Sequence, residues 1–242
     1  MIQNLIYGGL LLIRYYLKET LLEFRLNKDV IVDIKEIIFP LLKDAKMILN
    51  LGTWKGREVK WFKEAAPDAQ IHMFEPHPRL ADYLRKKYSS DINFHIHEMA
   101  VSDKDGEAIF YLSSKKGPKD SSSLKKPNIE IFKGAREFHG SIMVKTFKLD
   151  TWSKNYSNVF DFIWADIQGQ ERELINGGIE TLKNTKYFYT EYTQKEYYEG
   201  AILLNGIIEL LSPYFEILDT FPLPDIDGGD ILFKNKNSLL FL

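Results

Sequence analysis

Short apolar runs alternate along much of this chain with longer stretches whose apolar positions recur at steps of three and four. KMILNL, QIHMFEP and INFHIHEMAVS read as strands, with EAIFYLSS a fourth short one. GREVKWFKEAAP and HPRLADYLRKKYS, both punctuated by proline, read as the helices between them. Farther on, SIMVKTFKLDTW and VFDFIWADI are strands, and QERELINGGIETLKN is a helix with a glycine pair at its end or at a kink. KYFYTEY is a strand and AILLNGIIELLSPY a helix stopped before Pro213. FEILDTF and DILFKN close the chain as strands joined by a turn containing DIDGGD. Strand–helix–strand alternation at this spacing predicts an α/β fold, a parallel sheet with helices on its faces.

The N-terminal part departs from this rhythm. Leu10, Ile13, Leu17, Leu21 and Phe24 fall on one helix face, and DIKEIIFPLLKDAK reads as a second helical segment interrupted at Pro40. The organisation expected is a helical extension over 1–44 and one α/β domain over 45–242. The apolar run Leu5–Ile13 falls short of the roughly 20 residues that span a bilayer. It also lacks the basic start and cleavage site of a secretory signal. The segment 5–24 is expected to pack on the domain or on a twin subunit in a homodimer, or to contact a membrane surface. SSKKGPKDSSSLKKPN, Ser113 to Asn128, is too polar for a fixed core position and reads as a lid, a binding loop or a solvated excursion.

Composition adds exclusions. At 242 residues, 45% hydrophobic, the chain is long enough to bury a substantial core. Its 32 Lys and Arg are balanced by 34 Asp and Glu, so no global field draws in nucleic acid and no such partner is expected. The lack of cysteine excludes disulfides, thiol nucleophiles and Cys-ligated metals, and suits a reducing, cytoplasmic compartment.

The candidate chemistry begins where the first strand ends, at Gly52-Thr53-Trp54-Lys55-Gly56. Glycine there lets a ligand approach the main chain. The fingerprint G-x-G-x-x-G needs a middle glycine to admit a pyrophosphate, and Trp54 stands in that place. No Gly-Lys-Ser/Thr follows, so a P-loop is excluded too. The turn therefore favours a nucleoside ligand without a pyrophosphate and disfavours an NAD-dependent reductase. Glu75 closes the second strand 23 residues on (75 − 52), where an acid in α/β nucleotide sites accepts from ribose hydroxyls. Its other reading is a cap on the following helix. Glu98 and Met99 end the third strand at the same edge, suited to a purine ring and its amine. His95 and His97 share a face without a third ligand in view and read as half-exposed strand positions, so no metal is expected.

In order, ILNLGTWKG, MFEPHP, HEMAVSD, SSSL, VKTFKLDTW and FDFIWADIQGQERELINGG resemble the FkbM-type S-adenosylmethionine-dependent methyltransferases, over roughly Ala45 to Phe233. The resemblance implies a Rossmann-like sheet of seven strands, the last antiparallel, with S-adenosylmethionine at the strand C-terminal ends. It implies that Gly52 and Gly56 form the turn beneath the methionine part, that Glu75 binds the ribose, and that Glu98, Met99 and Ala100 border the adenine. Asp166 is then near the methionine amine or the transferring methyl group, and Asn50, Thr53 and Pro76 complete the expected cofactor-binding set. The activity implied is methyl transfer, read as O-methylation of a hydroxyl on a small molecule or glycan.

Three positions depart from the family pattern. The acid usual in the first strand is Asn50, and the basic residue often found before Asp166 is Ala165. The D-x-E-G-x-E motif reads Asp166-Ile167-Gln168-Gly169-Gln170-Glu171, with Gln168 in place of a glutamate. Glutamine cannot serve as a carboxylate base, so the alternative is a cofactor-binding member with impaired turnover, or a structural or partner-binding one. The candidate bases are Asp166, Glu171 and Glu191, with His139 a further one. Tyr189, Tyr192, Tyr197 and Tyr198 suit either a sugar face or simple packing. DIDGGD lacks the calcium-loop pattern and reads as a hairpin turn.

Overall fold

The structure, a computed structural model, describes residues 34–113, 121–133, 136–156, 159–223 and 227–237. Its main sheet is built from β1 (Met47–Leu51), β2 (Gln70–Phe74), β3 (Phe94–His97), β7 (Phe160–Ala165), β8 (Thr185–Thr193), β9 (Phe215–Pro222) and β10 (Gly228–Asn235). Their order is β3-β2-β1-β7-β8-β10-β9. The first five run parallel, and β10 is antiparallel to both of its neighbours. This is the expected seven-stranded sheet. The strand order reverses between β1 and β7, and ligands of open α/β sheets bind beside such a switch point.

Successive strand residues point to opposite faces, and both faces are covered. Ile48, Ile71, Met73, Phe162 and Tyr189 pack with Ile38 and Leu42 of α1 (Ile34–Leu42) and with Val59 and Phe62 of α2 (Val59–Ala65). On the other face, Leu49, Leu51, Phe74, Ile163 and Phe188 pack on α5 (Leu149–Ser153), α6 (Glu171–Lys183) and α7 (Leu204–Leu211) through Trp152, Leu174, Leu182 and Ile207. α3 (Pro78–Lys87) sits beside β3, and α4 (Ile129–Phe132) is a single turn. Truncating a fully buried leucine such as Leu49 to alanine costs about 2–5 kcal/mol in cores of this kind.

Several expectations need correction. INFHIHEMAVS is not one strand but two, because the chain leaves the main sheet at Glu98–Met99 and enters a small sheet as β4 (Ala100–Ser102). EAIFYLSS and SIMVKTFKLDTW also belong to that sheet, as β5 (Gly106–Ser113) and β6 (Phe138–Lys148) in the order β4-β6-β5, and LDTW is helical. Both strands expose one face, with Ile109 and Met143 opposite each other in solvent, unlike the doubly covered strands of the main sheet. α1 runs through Pro40 rather than breaking there. The glycine pair marks a kink, as one of its two readings expected: α6 bends at Gly178, whose φ is −138°.

Within the polar stretch Ser113–Asn128, Ser121 and Ser123 are buried. Main-chain bonds tie Ser123 to Tyr111, and Lys125 Nζ pairs with Glu173 of α6 at 2.8 Å. Hydrogen bonding holds its described part, residues 121–128, against β5 and α6, which is why composition alone did not reveal it. The expected amphipathic helix over 5–24 lies outside the described residues. Among those described, no helix is long and apolar enough to cross a membrane.

Candidate active site

The turn after β1 is closed by its own hydrogen bonds. The amides of Gly52 and Thr53 both donate to Phe74 O at 3.0 Å, and Gly56 N–H donates to Thr53 O at 2.8 Å. Gly52 has φ +83°, and a Cβ there would lie 1.9 Å from the carbonyl oxygen of Asp166. Only glycine fits both the conformation and the space. Trp54 has φ 49°, the left-handed region that side chains rarely occupy, and its N–H donates to Glu75 Oε2 at 2.8 Å. With these four amides committed, the turn offers no nest for a pyrophosphate.

A cavity of about 1310 Å³ opens over the C-terminal ends of β1, β2 and β7 and is walled on its far side by the small sheet. Gly52, Glu75, Pro76, Met99, Ala100 and Asp166 all line it, together with Trp54, Phe110, Leu112 and Phe138. Glu75 is 4% exposed, and its Oε1 accepts from His77 N–H at 2.8 Å. Each of its oxygens therefore takes one main-chain donor and keeps a lone pair for a ligand. Burial pushes its carboxyl up to about 7, against the pull of those two amides, with the nearby Asp166 adding to the rise. The helix after Glu75 is capped by His77, whose ring nitrogen accepts from Arg79 N–H.

Asn50, Thr53, Gly56 and Glu98 stand around the cavity rather than in its wall. Asn50 is fully buried, donates to Glu58 Oε1 at 2.6 Å, and has no partner for its Oδ1 among the described residues. Thr53 Oγ1 donates to Asn50 O, and Gly56 packs near Tyr88 and Leu84. These three shape the turn. Glu98 faces away, held by Arg85 at 2.8 Å, while its neighbours Met99 and Ala100 stay in the wall. His139 is an exposed residue of the cavity lining, 3.7 Å from Glu137. His72, absent from the sequence reading, stacks on His95 and hydrogen-bonds His97 at 3.0 Å. Burial pushes His72 down to about 3 and His97 to about 4. Among the described residues no group of acids, histidines or cysteines is arranged to hold a metal.

The three candidate bases lie on two sides of Gln168. Its Nε2 donates to Asp166 Oδ1 at 2.7 Å and to Glu191 Oε2 at 2.6 Å. Its Oε1 is 3.3 Å from Arg136 NH1 and 2.8 Å from the Tyr198 hydroxyl, whose single proton is also within reach of Ser121 O. This network fixes the amide's orientation, since the reverse would set donors against Arg136 and oxygen against carboxylates. Asp166 faces the large cavity. Glu171 and Glu191 line a smaller one of about 330 Å³, with Tyr192, Tyr197 and Tyr198, and Arg136 and Gln168 border both. Tyr189 instead stacks on Trp164 at 3.9 Å in the core.

Enclosure makes these acids reluctant to ionise. Burial raises Glu171 to about 7. Glu191 is pushed well above the usual carboxylate range, first by burial and then by Asp166 and Asp230. Asp230 is in β10, not a free turn, and is directly across from Glu191 in register. Burial lifts it to about 7, and Tyr189 pulls against that rise. Sequence reading missed Asp230 and Arg136, because only the long-range β8–β10 pairing and the fold of the small sheet bring them here.

The arrangement fits the implied cofactor. A buried acceptor pair suits vicinal ribose hydroxyls, an apolar wall at Met99–Ala100 suits a flat base, and the closed turn suits a ligand without phosphates. Among solved structures, Methanococcus jannaschii fibrillarin, a pre-rRNA processing protein, superposes with a TM-score of 0.51 at 14% identity, over 81% of this chain and 68% of that one. A Clostridium thermocellum chain does so at 0.51 with 6% identity, over 83% and 92%. These likenesses concern the fold alone. The 2-O-methyltransferase NoeI of Sinorhizobium fredii (strain NBRC 101917 / NGR234) is 36% identical over 208 residues, 83% of this chain and 84% of its own. The family model for the methyltransferase FkbM domain matches residues 52–221, from the glycine turn to β9. With that match and that relative, the chain belongs to the FkbM family of S-adenosylmethionine-dependent methyltransferases.

Proposed function

We propose that this enzyme methylates a hydroxyl group on a small molecule or glycan, with S-adenosylmethionine as donor in the large cavity. The observation that carries this reading is the pair Glu75 and Asp166, on either side of the Gly52 turn in one cavity wall. The cavity exceeds the roughly 300–1,000 Å³ of most single-ligand sites, which supports room for donor and acceptor together. NoeI, by its name a 2-O-methyltransferase, supports oxygen as the acceptor atom. The near-neutral charge argues for a small acceptor rather than a nucleic acid.

When bound, the sulfonium supplies an electrophilic methyl group. The chain's part is positioning, worth about 7–11 kcal/mol in well-oriented cases, and management of the acceptor's proton, typically ~10²–10⁴-fold. In this reading Glu75 holds the ribose, Met99 and Ala100 border the base, and Asn50, Gly52, Thr53 and Gly56 keep the turn in shape. Asp166 is the assigned base because it alone of Asp166, Glu171 and Glu191 lines the large cavity. Gln168 acts as a double donor that holds Asp166 in place, so its loss of the family's carboxylate is compatible with turnover.

The test is calorimetric titration with S-adenosylmethionine, alongside NAD and Glu75→Ala. Micromolar binding of the donor alone, lost in Glu75→Ala, is expected. No binding to folded, ligand-free wild-type protein would remove the proposal.

A further inference from the structure

The Gln168 amide joins two acids through a single nitrogen. That nitrogen donates to Asp166 at 2.7 Å and to Glu191 at 2.6 Å, which holds the two carboxyls side by side. Two carboxylates repel at such range, whereas a carboxyl and a carboxylate share a proton. The surroundings are acidic but reluctant to ionise: Glu58 before α2, Glu75 after β2, Glu171 opening α6 and Asp230 on β10 are all raised by burial and further by the charge of Asp166. Tyr189 and Tyr198 face the group as neutral hydroxyls, raised by burial. Arg136 contributes a positive charge on the far side of Gln168, at its Oε1. Asp166 borders the large cavity and Glu191 the small one, so charge entering the large cavity acts on Asp166 and through it on Glu191.

We propose that Asp166 and Glu191, clamped by Gln168, hold one shared proton that leaves when a cationic sulfonium ligand enters the large cavity, so that the pair favours the charged methyl donor over its neutral sulfide product. The inference rests on the reading that the donor binds beside Asp166. With its proton released to solvent, the pair carries two negative charges, and the second offsets the sulfonium. The pair then recovers a proton from the acceptor hydroxyl, whose oxygen keeps the O–H electrons and bonds the methyl carbon while the carbon–sulfur electrons return to sulfur. Glu191 is thus a specificity-determining positioning residue, acting through Asp166.

The test is calorimetry of the full chain with S-adenosylmethionine and with S-adenosylhomocysteine, at pH 6, 7 and 8, in buffers of different ionisation enthalpy. The donor is expected to release more protons than the product, by an amount approaching one. Its affinity should gain up to tenfold per pH unit relative to the product's while the pair still holds its proton. In Glu191→Gln both differences should shrink while both ligands still bind. Equal proton release by the two ligands on the wild-type protein overturns the inference and leaves the cofactor assignment standing. Failure of both ligands to bind overturns the cofactor assignment as well. The wild-type comparison decides the matter even if the variant does not fold.

Discussion

A side-chain carbon on Gly52 would lie 1.9 Å from the carbonyl oxygen of Asp166. The Asp166 amide in turn donates to Leu51 O at 2.9 Å. The turn that opens the site and the acid assigned to its chemistry are therefore one packed unit, joined across β1 and β7. Gly52→Ala must adopt φ +83° and push Asp166 aside. We expect it to lose at least about 1–3 kcal/mol from backbone strain alone and to weaken donor binding more than tenfold. Urea unfolding and calorimetry would show this, and an unchanged midpoint with unchanged affinity would contradict the packing.

Glu75 offers a sharper test, because glutamine is not conservative there. Both carboxylate oxygens already accept from main-chain amides, those of Trp54 and His77. In Glu75→Gln one amide must face the new NH₂ group, donor against donor. An unsatisfied buried donor costs about 1–3 kcal/mol. Donor affinity should fall at least tenfold, with Glu75→Gln no better than Glu75→Ala. Near-wild-type binding by the glutamine variant would show that the carboxylate does not serve as the acceptor pair.

The buried acids also set a pH dependence of stability. Glu75, Glu171 and Asp230 are raised to about 7 and Glu191 is raised too, so the folded chain holds more protons than the unfolded one above about pH 4.5. Their contribution falls as pH rises through that window. His72 and His97 are depressed, to about 3 and about 4, so the unfolded chain holds more protons below about pH 6.5 and stability there rises with pH. The two trends oppose each other in the acid range, and the histidine one fades above pH 6.5 as the unfolded imidazoles lose their protons. The melting temperature of the ligand-free protein should therefore fall from pH 6.5 to 8, by about 1.4 kcal/mol of stability per pH unit for each net proton. A rise across that interval would show that these acids are ionised in the folded state.

What could be read from sequence was what neighbouring residues encode. Gly52 and Glu75 belong to two consecutive strand ends, and a fixed spacing between parallel strands carries both to one edge. Gln168 was legible as a departure but not as a bridge, because its role depends on Glu191 and Tyr198, brought in by β8 and the loop beyond it. Asp230 was hidden for the same reason: an antiparallel register, not a motif, sets it across from Glu191. Two glycines precede it, and a Cβ on Gly229 would lie 2.3 Å from Phe221 O. DIDGGD is thus partly a close-packed strand rather than a turn. The small sheet escaped because β5 and β6 have ordinary strand patterns whose partners no local signal names.

Restoring the family's usual glutamate at position 168 probes the bridge directly. Gln168→Glu replaces two N–H donors with a carboxyl facing Asp166 and Glu191, so three acids meet at hydrogen-bonding range. Such a cluster is tolerable only with additional protons bound, which raises the new group's pKa above its unfolded value. By linkage its cost must grow as pH rises, so the variant should be destabilised more at pH 8 than at pH 6. Gln168→Met removes the same bonds without adding a titrating group, and its loss, about 1–3 kcal/mol for unsatisfied partners, should depend less on pH. Urea midpoints of both variants at the two pH values separate these outcomes. An equal loss for Gln168→Glu at pH 6 and pH 8 would show that residue 168 does not stand between the two acids.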